Sequence, residues 1–180
     1  MSQFKPFMGA AGIVFSLALL ASSPARGEER TPRKGLLFSL IGFVGSEVAE
    51  TQDVSIGGGG RLGGGITEDL LLYAEARSSL IPRSALDSLI FLDTQLKGQY
   101  YPWQDFYVNL GFGVATMLST FGALTLDPFD TGFSMSAGAG YEFRHWKRFF
   151  IAPEFRFGYK RISGANFVTP EVGGQLGWHF

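Results

Sequence analysis

The stretch that decides the reading is FFIAPEFRFGYKRI, residues 149–162. Phe149, Ile151, Pro153, Phe155, Phe157 and Tyr159 stand at odd positions, and Ala152, Glu154, Arg156, Gly158 and Lys160 at even ones. A period of two describes a β-strand with two unlike faces. What alternates here is unusual: full charges and glycine on one face, phenylalanine on the other. Whether the phenylalanine face is a core or an outer surface governs everything else.

The same alternation recurs along the chain. It predicts strands near 35–45, 55–66, 70–78, 88–101, 106–119, 131–144, 148–162 and 171–180, joined by turns such as TED at 67–69, PWQD at 102–105 and HWK at 145–147. No stretch shows helical spacing of apolar residues. In the segment GLLFSLIGFVG the two faces are poorly separated, so its register stays open. Eight segments of roughly ten residues, joined by short connections, describe an up-and-down meander that closes on itself.

Sorting the polar face decides which side is outside. It carries Arg61, Arg77, Lys97, Arg144, Arg156 and Lys160 against Glu75, Asp93, Glu142, Glu154 and Glu171, interleaved with Gly, Ser and Ala. The opposite face is nearly free of charge. The interior of an eight-stranded barrel is just wide enough to be filled by side chains, so charges spaced by small residues fit inside it. A soluble barrel would need the reverse arrangement. The expected fold class is therefore all-β, an eight-stranded antiparallel up-and-down transmembrane β-barrel. Lone buried ions are costly, so the eleven charges are expected to pair within the lumen. There they fill the barrel and fix its register, or else act as a gate whose exchange of partners opens a narrow ion path.

The aromatic residues supply a second test. With both termini in the periplasm, Tyr100, Trp103, Phe106, Trp146, Trp178 and Phe180 fall at one level, the pattern of a membrane-interface girdle. At the N-terminus, Lys5 precedes the apolar run MGAAGIVFSLALLA, and small residues Ser23 and Ala25 precede a cleavage point before Arg26. This reads as an export signal, since the run is shorter than the roughly 20 residues a membrane-spanning helix requires. The expected organisation is a cleaved signal peptide at 1–25, a periplasmic segment at 26–34 and an outer-membrane barrel at 35–180.

Composition narrows the function classes. Charged residues are 17 % and the formal net charge is −1, which argues against a nucleic-acid partner. With no Cys, thiolate nucleophiles, disulfides and Cys-based metal sites are excluded. The run GGGGRLGGG at 57–65 lacks the Lys-Ser/Thr pair of a phosphate loop and reads as glycine making room for bulky neighbours. His145 and His179 both fall at the periplasmic end and are not spaced as a ligand pair. No catalytic set, metal site or cofactor is expected. Glu47, Glu50, Asp53, Asp127 and Asp130 are expected in the outer loops, as solvated charges or as groups meeting divalent cations on lipopolysaccharide.

Taken together, the chain resembles the small outer-membrane barrels of Gram-negative bacteria, the OmpA and OmpX type. The resemblance rests on the N-terminal signal, the eight alternating segments, the Gly-rich second strand running into ITEDLLLYAEAR, and the closing WHF. It implies that Trp178 and Phe180 form the C-terminal signal read by the barrel-assembly machinery. The expected function is a monomeric structural or surface-interaction protein without catalysis, set in outer-membrane lipid and lipopolysaccharide. The alternatives are a narrow gated channel, a lipid A-modifying enzyme and a soluble periplasmic carrier.

Overall fold

The computed structural model describes residues 33–48, 52–82, 87–121, 125–126, 130–144 and 148–180. The expected signal peptide lies outside the described residues, as do Glu50, Asp127, His145, Trp146 and all but the last two positions of the segment 26–34.

Eight long strands make the wall: β1 (Gly35–Val48), β2 (Gln52–Gly65), β3 (Leu70–Pro82), β4 (Asp87–Trp103), β5 (Phe106–Phe121), β6 (Asp130–Tyr141), β7 (Phe149–Ile162) and β8 (Ala165–His179). Each pairs antiparallel with the next, and β8 pairs back onto β1, from Leu37↔His179 to Val48↔Val168. The ring is closed and has no free edge, so every strand finds its hydrogen bonds within the sheet. A short strand, Thr125–Leu126, pairs with the end of β5. Beyond Glu142, β6 resumes as Phe143–Arg144 on the same register against β7.

The start of β1 and the C-terminal Phe180 lie at one end of the ring, here called the terminal end; the other is the loop end. The strands run further toward the loop end than their alternation suggests. β1 continues to Val48, β2 begins at Gln52 and β8 begins at Ala165, well before the polar–apolar contrast becomes clear at 171. The β7–β8 connection is a two-residue turn, Ser163–Gly164, with φ of 50° and 83°. Such left-handed values at both central positions match the twist of a hairpin.

The faces are inverted relative to a soluble barrel. Leu110 (68 % exposed), Phe112 (62 %) and Val54 (64 %) face outward, whereas Arg61 (2 %) and Lys97 (0 %) face the lumen. Leu118 departs from the expected outward face, being only 7 % exposed. On β1 the unresolved register settles with Leu37, Ser39 and Phe43 inward, beside Glu47. Leu36, Phe38, Leu40, Val44 and Val48 therefore point outward while Leu37 and Phe43 are buried, so apolar residues stand on both faces and the alternation is blurred.

Candidate functional site

The described lumen is stacked in layers. At mid-height, Arg61, Arg77, Lys97 and Arg156 meet Glu75, Asp93, Glu154 and Glu171, all nearly buried. Arg61 reaches from β2 across to β7, where two of its nitrogens hold the two oxygens of Glu154 at 2.9 and 2.8 Å. It also donates to Glu75 at 2.6 Å and to Gln175 at 2.8 Å. A planar guanidinium suits this forked recognition of a carboxylate. Glu75 is shared further by Lys97, at 3.3 Å, and by Arg156. Arg77 donates to Glu171 at 2.7 Å and stacks over the Phe43 ring at 3.7 Å. Arg156 also lies 3.4 Å from Asp93, whose other oxygen accepts from Ser134 at 2.7 Å.

Neutral groups complete this layer. Ser136 donates to Gln95 at 2.6 Å, and Tyr107 donates to Glu154 at 2.9 Å. Small residues make the space. A Cβ built at inward-facing Gly57 would run into the Phe43 ring, and one at Gly173 would meet Phe43 at 2.7 Å. Two glycines on the flanking strands thus allow the aromatic ring on which Arg77 rests.

Toward the loop end, Lys160 donates to Glu47 at 2.6 Å and lies 4.4 Å from the centre of the Phe91 ring. The expectation that Glu47 is an outer-loop acid is corrected: it sits on β1 inside the lumen, 3 % exposed. Asp53 lies opposite it on β2, and Asp130 opens β6, so neither is a loop residue. Above the pair, Ile81, Leu89, Phe91, Ala115, Ile162 and Phe167 form a hydrocarbon cap. Phe91 and Phe167 meet edge to face with centroids 5.2 Å apart.

Toward the terminal end, Leu37, Leu71, Tyr73, Tyr101, Tyr107, Phe150 and Ala152 form an aromatic layer. Below it Glu142 gathers four groups: the Tyr101 hydroxyl at 2.6 Å, His179 Nε2 at 3.0 Å, Arg144 at 3.1 Å and Arg33 Nε at 3.5 Å. Glu142 and Arg144, expected in one network with the other nine charges, belong to this separate cluster. Arg33 has no counterpart in the alternation because it precedes β1, yet it is 6 % exposed. Its signal in the sequence is a pair of cations, Arg33 and Lys34, ahead of Gly35, which patterning does not read.

Five of the six expected girdle residues sit at the terminal end; the sixth, Trp146, lies outside the described residues. Tyr100 (52 % exposed), Trp103 (71 %) and Phe180 (61 %) face outward, and Trp178 stacks on Phe38 and meets Phe149 edge to face. Phe106 packs against Trp103 with centroids 5.8 Å apart. Among the described residues no three His, Asp or Glu gather as a metal-holding group.

No protein-family model matches the chain, and no curated protein matches it in sequence. Solved structures do match in fold. Neisserial surface protein A superposes with a TM-score of 0.64 at 11 % identity, covering 81 % of this chain and 97 % of its own. Ail, the attachment invasion locus protein of Yersinia pestis, gives 0.57 at 12 % identity over 80 % and 99 % of the two chains. The N-terminal barrel domain of Pseudomonas aeruginosa OprF gives 0.50 at 15 % identity over 80 % and 98 %. The fold is that of the small eight-stranded outer-membrane β-barrels.

Proposed function

We propose, from that fold, that this chain is an integral outer-membrane protein with a structural or surface-interaction role and no catalytic step. The observation that carries the reading is the inversion of its faces. A continuous outer surface of Leu, Val, Ile and Phe would drive association in water, whereas lipid covers it. Tyr100, Trp103, Phe106, Trp178 and Phe180 then form the girdle at the periplasmic interface, with Trp178 and Phe180 as the assembly signal. Outer-membrane lipid, lipopolysaccharide and the assembly machinery are the partners this implies. A surface role is supported by two of the solved barrels, named a surface protein and an attachment locus protein. The lumen supports a role without transport, since paired ions at mid-height lie between apolar layers. Membrane fractionation together with gel mobility tests the reading. The protein is expected in the outer-membrane fraction, with unheated and boiled samples migrating differently; recovery from the soluble pool would overturn it.

A second reading, a narrow channel, is favoured by the charged layer, where Arg77 and Arg156 each keep a buried Nε without a hydrogen bond. Exchange of their carboxylate partners would open the path. Planar-bilayer recordings of the purified barrel, silent for wild type and for charge reversal at Glu154 or Arg156, would dismiss it.

A further inference from the structure

We infer that Arg33 is the head of a releasable strap, which closes the terminal-end mouth of the barrel and is hinged at Gly35. Arg33 lies outside every strand, yet its guanidinium is buried and all its described partners stand on β4, the β4–β5 turn or the Glu142 break in β6. It donates to the Gln104 carbonyl at 2.7 Å and to Asp105 Oδ1 at 2.8 Å, and it stacks 3.6 Å from the Tyr101 ring centre. Behind the head the Arg33 carbonyl lies against Gly65 of β2, where a Cβ would not fit, and the side-chain attachment is slight. The side chain of Lys34 is 62 % exposed and only 3.9 Å from an equally exposed Glu68, a pairing that contributes little.

Gly35 supplies the turn. Its φ is +117°, a conformation L side chains rarely adopt, and a Cβ there would collide with the Phe180 carbonyl oxygen. The chain can therefore leave β1 and fold back over the opening only with glycine at this position.

Release is cheap at the receiving end. Burying an unpaired carboxylate is costly, but Glu142 keeps Tyr101, His179 and Arg144 when Arg33 departs. The carboxylate thus stays paired while its cover swings away. What the cover shields is the aromatic layer, including Ala152, which is fully buried on β7 directly above this cluster. The inference holds whether or not the lumen conducts, because it concerns access from one side.

The chain has no native cysteine, so single thiols report access cleanly. The folded barrel in detergent micelles, carrying Ala152→Cys, is treated with a bulky water-soluble maleimide, and the modification rate is read by mass. Ala115→Cys, buried in the loop-end cap, is the control. Arg33→Ala is expected to raise the rate at the Ala152→Cys thiol at least tenfold and to leave the control unchanged; Gly35→Ala should do the same by straining the hinge. Equal rates at the Ala152→Cys thiol with and without Arg33 overturn the strap. So does a parallel rise in the control, which would mean general loosening. If Ala152→Cys fails to show the mobility shift of a folded barrel, Leu37→Cys in the same layer serves as reporter.

Discussion

The two ends of the lumen are closed by opposite means. At the loop end the closure is hydrocarbon: Ile81, Leu89, Phe91, Ile162 and Phe167 pack over the Lys160–Glu47 pair. At the terminal end it is polar and convergent, with Arg33, Tyr101, Arg144 and His179 gathered on one carboxylate. Packing energy is spread over many weak contacts, so each side chain of the hydrocarbon cap acts nearly alone. Groups that share a charge depend on one another. The difference lies in cooperativity: one closure loosens piece by piece, the other by exchange of partners.

The mid-height cluster sets the scale for both. Glu75→Ala should be the most damaging change, since it strips Arg61, Lys97 and Arg156 of a shared anion inside the barrel. Breaking one side of a buried pair costs about 3–5 kcal/mol, readable as a lowered denaturant midpoint for unfolding from micelles or vesicles.

Next comes Phe91→Ala at the loop end, expected to cost about 3 kcal/mol through lost contacts and a cavity. The same unfolding experiment checks it, and a cost below about 1 kcal/mol would mean that the cap collapses to fill the space. The comparison is sharpened by paired changes. The coupling between Arg33→Ala and Glu142→Gln should reach about 1 kcal/mol or more. That between Phe91→Ala and Phe167→Ala should be nearer 0.5 kcal/mol, the lower end for an aromatic pair. A larger coupling at the loop end would break the contrast. The smallest effect is expected for Lys34→Ala, about 0.5 kcal/mol or less, because both partners of its pair are largely exposed.

How much of this was legible depends on contrast between neighbours. Along β3, β4 and β7 the faces were read from alternation alone, because Glu75, Arg77, Asp93, Lys97, Glu154 and Arg156 stand between apolar residues. Where the lumen itself becomes apolar the contrast vanishes. Leu37 and Phe43 point inward from β1, and Phe150, Phe167 and Ile162 point inward from β7 and β8. A period-two reading cannot separate apolar-in from apolar-out, so the two closures leave no trace in it, and the expected strands stop short of the true ends of β1 and β8. The loop expected at Glu47 has the same cause. Arg33 was missed on different grounds, since a residue outside any strand carries no periodicity. The division of eleven charges into three groups was likewise out of reach, because it depends on which strands face each other across the ring.

The mid-height cluster also has an electrical meaning. It holds four cations, Arg61, Arg77, Lys97 and Arg156, and four anions, Glu75, Asp93, Glu154 and Glu171, bound to one another across the lumen. A voltage does work on net charge, about 2.3 kcal/mol per elementary charge moved through 100 mV. On a cluster whose charges cancel the net force is zero, while each cation and its anion are pulled in opposite directions. Displacing the cluster as a unit therefore gains nothing from a field along the barrel, and a field can act on it only by separating a particular pair.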